Sequence, residues 1–446
     1  MKMQYDSVGN VKYTLPDWER EIEKCSMCGK CHYVCPVWCI TLNEAVSARG
    51  HLQLIGEFMG DGGSLAGARP SAAFRDYLDC CLRCYRCLVI CPSDVRTVPV
   101  FETAKIEVGR RGGISPLLTL AFRYVWPSKR LMNFLARAAA FAQRALAAVV
   151  PFLSARSKTV GGLGGDRFLT LGKYVLPMLA PAPFSSRIRR IRDEIARMPP
   201  YSRNGGPAKR VRVVYLPDCM MDYLYPSVPE SVLEVLTRMG IEVVIPPEIS
   251  CCGAPPLGSG DIAAFKNMAD HNLKVWGAVD FDYLVFSNAT CAKTVKFVYP
   301  EVFGDRAKGI ADKVRMDFDV VREIAPDLAG KFDGKVSFHD PCHLKYAMRI
   351  TDAPRRLLAS VADYEEVPTS DQCCGFGGTF CVTHPVLARE INAERIEQLA
   401  RVDADLVATE CPACMAYLGM GMQRAGLSKA VVHVMEVVRA ALGGKG

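Results

Sequence analysis

Lys335-Val-Ser-Phe-His-Asp-Pro-Cys342 is the stretch from which the fold can be read. An apolar, strand-forming run ends abruptly at an aspartate, a proline and a cysteine, the pattern of a buried strand feeding a loop. Val211-Arg-Val-Val-Tyr-Leu216, followed by Pro217, Asp218 and Cys219, has the same order. The correspondence continues downstream: Cys219 and Cys342 lie 123 residues apart, the vicinal pairs Cys251-Cys252 and Cys373-Cys374 lie 122 apart, and Cys291 and Cys414 lie 123 apart. A duplication explains this register. Further strands are expected at 241–245, 284–286 and 406–408, and helices at 232–239, 262–275 and 385–400. Strands alternating with helices indicate α/β units with parallel sheets, whose sites are built from loops at the C-terminal ends of strands. The repeated cysteines fall at those ends.

The second copy carries five cysteines, Cys342, Cys373, Cys374, Cys411 and Cys414, with Gly375 directly after the vicinal pair. Adjacent thiolates fit poorly on two corners of one regular cube, so an irregular iron-sulfur cluster is expected, with the glycine letting the backbone approach it. In the first copy Cys219, Cys251, Cys252 and Cys291 remain, and the repeat offset puts Asn288 where Cys411 stands. An amide is a weak iron ligand beside a thiolate. The first site is therefore expected to hold a four-cysteine or iron-poor cluster, with an empty structural site as the other reading. His339, Asp340 and His343 flank Cys342 and read either as hydrogen-bond or proton donors to a cluster or as strand-end caps. Cys381 and His384 read as loop and helix-start residues.

Nearer the N-terminus, Cys25-x2-Cys28-x2-Cys31-x3-Cys35-Pro36 and Cys81-x2-Cys84-x2-Cys87-x3-Cys91-Pro92 match the run of two-cluster ferredoxins, in which the fourth cysteine serves the other cluster. Two cubane [4Fe-4S] clusters with crossed ligand sets are expected: Cys25, Cys28, Cys31 and Cys91 on one; Cys81, Cys84, Cys87 and Cys35 on the other. Paired zinc sites are the competing reading. Cys39 and Cys80 lie outside the pattern and read as packing thiols. The stretch 42–74 between the motifs has helix or loop character, so the module should be helical.

Of the 446 residues, 50% are hydrophobic and 23% charged, which excludes disorder and suggests two or three domains. No apolar run is long enough for a spanning helix, and residues 1–14 lack the pattern of a secretory signal, so the chain is expected in the cytosol. Twenty cysteines in a reducing compartment indicate metal. The net charge of +8 comes from one segment: residues 110–160 hold nine Lys or Arg and no acid. Arg123, Arg130, Arg137 and Arg144 recur every seven residues there, giving a cationic amphipathic helix after Pro127. Such a helix suits an anionic membrane surface, a partner subunit, or a solvated face on a core helix. No nucleic-acid module accompanies the charge. Nor is there a nucleotide-binding glycine fingerprint, a P-loop or a hydrolase triad motif, which confines the chemistry to the cysteines.

These motifs, with Ala48-Arg49-Gly50, Cys91-Pro-Ser-Asp-Val95, His339-Asp-Pro-Cys-His343, Cys373-Cys-Gly-Phe-Gly-Gly-Thr379 and Cys411-Pro-Ala-Cys414, resemble the Cys-Cys-Gly iron-sulfur oxidoreductase superfamily. Its members include the iron-sulfur subunits of glycolate oxidase and the catalytic subunit of heterodisulfide reductase. The resemblance implies a multidomain α+β protein: a helical ferredoxin domain with two [4Fe-4S] clusters at 1–110, a basic amphipathic helical linker at 111–205, a degenerate Cys-Cys-Gly domain at 206–330 and a five-cysteine one at 331–446. It implies an electron-transfer subunit relaying electrons between a flavoprotein dehydrogenase of the glycolate or lactate type and quinone or another acceptor, peripheral at the inner face of the cytoplasmic membrane through residues 110–160. The alternative it implies is a heterodisulfide-reductase-like subunit doing disulfide chemistry at a noncubane [4Fe-4S] cluster, with a membrane cytochrome partner. A further cluster in the first copy would complete the cofactors.

Overall fold

In the computed structural model the described residues are 18–443, apart from 61–62, 64–66, 151–153, 172–173, 202–210, 327, 329 and 369–371. Residues 1–14, on which the reading of the N-terminus rests, lie outside them. The duplicated halves each form a four-stranded parallel sheet. The first contains β6 (Arg212–Leu216), β7 (Glu242–Val244), β8 (Tyr283–Phe286) and β9 (Val314–Met316) in the order β7-β6-β8-β9; the second contains β10 (Lys335–Phe338), β11 (Asp363–Tyr364), β12 (Leu406–Thr409) and β13 (Ala430–His433) in the order β11-β10-β12-β13. Even the register repeats: Val213 pairs with Tyr283 and Val336 with Leu406, each 123 residues on. The inner strands are apolar nearly throughout because helices cover both faces of a parallel sheet, and all four residues of β12 are buried. One continuous core joins both sheets, from Val213 and Phe286 to Phe338 and Ala408.

The N-terminal region is helical among its described residues, with helices Ala48–Met59, Ala72–Asp79 and Thr97–Val108 and several shorter turns. His51, Phe58, Phe74, Leu78 and Phe101 supply a separate core.

The segment expected to be a helical linker departs from that reading. Helix Lys129–Val149 is present, but it is followed by β1 (Ser154–Arg156), β2 (Thr159–Val160), β3 (Leu163–Gly164), β4 (Arg167–Leu171) and β5 (Tyr174–Pro177). Strands β1, β4 and β5 form an antiparallel sheet, and β2 and β3 a hairpin. The helix ends at Val149 with Val150 as its cap, and these strands are too short and glycine-punctuated to stand out in sequence. They dock tightly on the second half: a Cβ at Gly419 would lie 2.9 Å from the buried ring of Phe168, and one at Gly164 would lie 2.6 Å from Ala430 Cβ. The arginine stripe is also divided. Arg123 makes a two-pronged ion pair with Asp261, and Arg144 turns inward to donate to the Leu179 and Ala140 carbonyls. Arg130 and Arg137 stay exposed.

Candidate metal centres

Each N-terminal motif folds as a loop with left-handed residues at matching places, Met27 (φ 58°) and Gly29 (φ 75°) in the first, Arg83 (φ 53°) and Tyr85 (φ 65°) in the second. Non-glycine residues in this region carry strain of about 1–2 kcal/mol each, retained where the surroundings over-determine the turn. The loops run into short helices, Lys30–Val34 and Arg86–Ile90, which pack against one another. That packing carries the fourth cysteine of each motif across to the other. Cys25, Cys28, Cys31 and Cys91 line one cavity of about 30 Å³; Cys35, Cys81, Cys84 and Cys87 line a second of the same volume. Cys87 also borders the first cavity and Cys80 the second, whereas Cys39 lies against the His32 and Tyr33 carbonyls. Backbone N–H groups of Arg83, Trp38 and Val95 point at the sulfurs of Cys81, Cys35 and Cys91 at 3.4–3.5 Å, and the Thr97 hydroxyl lies 3.1 Å from Cys87 Sγ. Arg49 braces the first loop by donating to the Met27 carbonyl (2.8 Å) while paired with Glu44 (2.7 Å).

In the duplicated halves five of the nine motif cysteines sit just beyond strand ends, while the vicinal pairs Cys251-Cys252 and Cys373-Cys374 lie in loops well past β7 and β11. Cys219 follows β6, Cys291 follows β8, Cys342 follows β10, and Cys411 and Cys414 follow β12. The glycine after each vicinal pair is left-handed, Gly253 at φ 85° and Gly375 at φ 88°. No side chain would fit at either: a Cβ on Gly375 would meet the Ala388 carbonyl at 2.5 Å, and one on Gly253 the Phe265 ring at 2.6 Å. The conformation turns the Gly375 N–H toward Cys373 Sγ (3.4 Å) and the Gly253 N–H toward Cys251 Sγ (3.5 Å).

The second copy gathers its five thiols. Cys373 contacts Cys342 and Cys374, Cys374 lies 3.3 Å from Cys414, and Cys411 contacts Cys414. All but Cys342 are buried, and contact with a neighbouring thiol (Cys373 beside Cys374, Cys374 and Cys411 beside Cys414), reinforced by burial, pushes the Cys374 and Cys414 thiols above the usual range. In the first copy Cys252 lies 3.1 Å from Cys291 and Cys251 contacts Cys219. Separations of this size are not disulfides, whose sulfurs lie about 2.0 Å apart. Asn288 occupies the place of Cys411, and the two share a local job. Each is the N-cap of the helix after its strand, Asn288 accepting the Thr290 N–H at 2.9 Å. Asparagine caps well, so losing the thiol leaves the fold intact while removing a soft donor.

The residues flanking Cys342 divide by role. Asp340 is held by Arg355 through bonds of 2.8 and 2.6 Å, a structural pair. His343 clasps three parts of the chain, with Nδ1 2.8 Å from the Thr290 hydroxyl and Nε2 3.1 Å from the Arg83 carbonyl. Only His339 faces the thiols, a nitrogen of its ring lying within 4.8 Å of the sulfurs of Cys374 and Cys414. Arg395 Nε donates to His339 Nδ1 at 3.1 Å, which leaves the ring proton on Nε2. Burial, then the Arg395 charge, keeps this imidazole neutral. Cys381 donates to the Gly378 carbonyl, and His384 precedes helix Pro385–Ala400, both as loop and helix-start residues.

Sequence reasoning missed two neighbours. Trp126, from the basic segment, roofs the first-copy cavity of about 50 Å³, its buried indole N–H beside the Cys219 sulfur. Arg395 is fully buried behind His339, although its helix pattern reads as an ordinary charged position. The single Trp-Pro step in the chain was the available signal for the former; for the latter there was none.

A family model described as a cysteine-rich (CCG) domain matches this chain twice, at residues 213–296 and 336–419, the two parallel-sheet halves. Among curated proteins, lactate utilization protein A of Geobacillus sp. (strain WCH70) is 32% identical over 241 residues, covering 51% of this chain and 99% of the relative. The chain belongs to the CCG-domain family. A relative of nearly equal extent, the probable glycolate oxidase iron-sulfur subunit of Bacillus subtilis (strain 168), is 26% identical over 445 residues, covering 96% of this chain and 95% of the relative. Lactate utilization protein A of Oceanobacillus iheyensis matches over 230 residues at 29%, covering 49% of this chain and 93% of the relative.

Proposed function

We propose that this protein is the iron-sulfur electron-transfer subunit of a multi-subunit oxidoreductase, relaying electrons between a flavoprotein dehydrogenase of the glycolate or lactate type and quinone or another acceptor at the inner face of the cytoplasmic membrane. The observation that carries this reading is the gathering of 17 cysteines, none in a disulfide, into four separate sets. The donors fit iron-sulfur clusters: soft thiols, converging without bonding, with backbone N–H groups aimed at their sulfurs. Cys25, Cys28, Cys31 and Cys91 would hold one cubane and Cys35, Cys81, Cys84 and Cys87 another. The five thiols of the second CCG domain would hold a noncubane cluster, and Cys219, Cys251, Cys252 and Cys291 a further one. Clusters at these places supply one-electron carriers.

Three of the four sets form a contiguous series, the two N-terminal ones and that of the second CCG domain. Cys87 borders both N-terminal cavities, and Cys84 shares a buried cluster with Cys373, Cys374, Cys411 and Cys414. Cys28, at the far end, is exposed, an accessible point of entry. The names of the two kinds of relative, glycolate oxidase iron-sulfur subunit and lactate utilization protein, support a flavoprotein partner and a 2-hydroxy acid as the ultimate source of electrons.

Anaerobic purification tests this directly. Brown protein carrying about 12 or more iron atoms per chain, with several paramagnetic species on stepwise reduction, is expected; colourless protein with zinc and no iron overturns it. The intact five-thiol set with its vicinal pair favours one alternative, disulfide reduction at the second CCG domain with a membrane cytochrome as partner. A thiol-disulfide pair that alters that domain's resonance selects the alternative, and an unchanged resonance selects electron relay.

His339 gives the reading a finer test. One nitrogen of its ring lies within 4.8 Å of the Cys374 and Cys414 sulfurs, and with Nδ1 accepting from Arg395 the ring would offer its Nε2–H as a donor to a cluster held there. Removing an N–H···S bond makes a cluster harder to reduce. His339→Leu, which installs the residue found at the equivalent Leu216, is expected to lower that cluster's midpoint potential by about 60 mV, a tenfold change for a one-electron couple. Redox titration with resonance detection measures it, and Arg395→Lys should give a smaller shift of the same sign.

A further inference from the structure

Helix Lys129–Val149 is built inside out. An ordinary surface helix turns its apolar stripe to the core. Here polar and small residues face the protein: Asn133 accepts the Tyr223 hydroxyl (2.9 Å), Gln143 accepts the Leu179 N–H (2.8 Å), Arg144 donates to the Leu179 carbonyl (2.9 Å), and Ala140 is buried. The opposite side is wholly apolar and faces outward, through Leu131, Phe134, Leu135, Phe141, Leu146 and Val149, with Phe134 68% and Phe141 75% exposed. Alanines 138, 142 and 145 complete the stripe. Ten of the 19 exposed large hydrophobic residues among those described lie between Leu117 and Val149, so the exposure is concentrated and not scattered.

We infer that this face is a docking surface for an anionic lipid bilayer, with the helix lying in the plane of the interface. The helix is about 31 Å long at 1.5 Å per residue. It is pinned along its polar side, which leaves its apolar side to enter the headgroup and acyl boundary. No polar residue interrupts the stripe. Arg130 and Arg137 stand exposed along one edge, within a 51-residue stretch of nine basic residues and no acid. That charge is complementary to anionic headgroups. No helix among the described residues is long and apolar enough to cross a membrane, consistent with a helix that lies on one.

The same turn that starts this helix, Trp126, Pro127 and Lys129, together with Met132, lines the cavity of Cys219, Cys251, Cys252 and Cys291. The first CCG domain, with four cysteines, is thus the centre beside the docked face. Resting on the function proposed above, this assigns electron exit toward a membrane-borne acceptor to that domain, not to the five-cysteine one.

The test uses the whole holoprotein and vesicles of phosphatidylcholine with or without 30% phosphatidylglycerol. Wild type should float with the anionic vesicles only, and Phe134→Ser with Phe141→Ser should weaken binding about a hundredfold with the cluster absorption unchanged. Arg130→Gln with Arg137→Gln should weaken it several-fold and abolish the preference for anionic lipid. Absence of vesicle binding overturns the inference, as does a protein dimer that the phenylalanine pair dissociates. Iron content, read on the same samples, reports separately on the electron-transfer reading.

Discussion

Cys373→Ser is expected to erase the resonance of the second CCG domain's cluster, to remove about four iron atoms per chain, and to reduce electron transfer through that centre to background. Cys373 is the central thiol of its set. It touches both Cys342 and Cys374, lies 6% exposed, and receives the Gly375 N–H. A serine there is nearly isosteric, so the backbone turn survives, but its hard and scarcely ionised oxygen cannot replace a thiolate on iron. The other three sets should persist, because each draws its thiols from elsewhere. Iron and sulfide determination with low-temperature resonance on the anaerobic variant decides it. Retention of every signal would remove the five-cysteine assignment.

Cys91→Ser is expected to destroy the cluster associated with Cys25, Cys28 and Cys31, 60 to 66 residues away in sequence, and to spare the one held with its neighbours Cys81, Cys84 and Cys87. The reciprocal variant, Cys35→Ser, should destroy the cluster of Cys81, Cys84 and Cys87. The cavities carry this argument: Cys91 opens into the first and Cys35 into the second. Each variant should lose one set of resonances and about four iron atoms. If Cys35→Ser instead removed the cluster of its own motif, the crossed arrangement would be wrong. Because bound metal contributes to folding, both variants should also melt earlier than the parent, and the pair together earlier still.

Much of this was legible in the sequence because cysteine positions and apolar periodicity are local facts. The duplication was visible as a fixed offset, and helix 385–400 has the boundaries its pattern gave. Strands β6, β8, β10 and β12 were legible for the same reason, being buried on both faces and so continuously apolar. Strands β9 and β13 were not, since Val314-Arg-Met316 carries a charge and Ala430-Val-Val-His433 suits a helix equally well. The five strands after helix Lys129–Val149 were missed because they are stabilised by docking on Gly419 and Ala430, contacts that no local pattern encodes.

The chain's own order of residues determined which side chains can bind metal, that there are two copies of one α/β unit, and that the second keeps a donor the first has lost. These follow from residue type and spacing. Only the tertiary structure decided which way the basic helix faces, that His339 and not Asp340 or His343 looks at the thiols, and that Trp126 covers the first site. A helical repeat fixes which residues share a face but not which face is covered. That is settled by partners distant in the chain, here Tyr223 and Leu179, whose hydrogen bonds hold the polar side inward and leave phenylalanine and leucine outside.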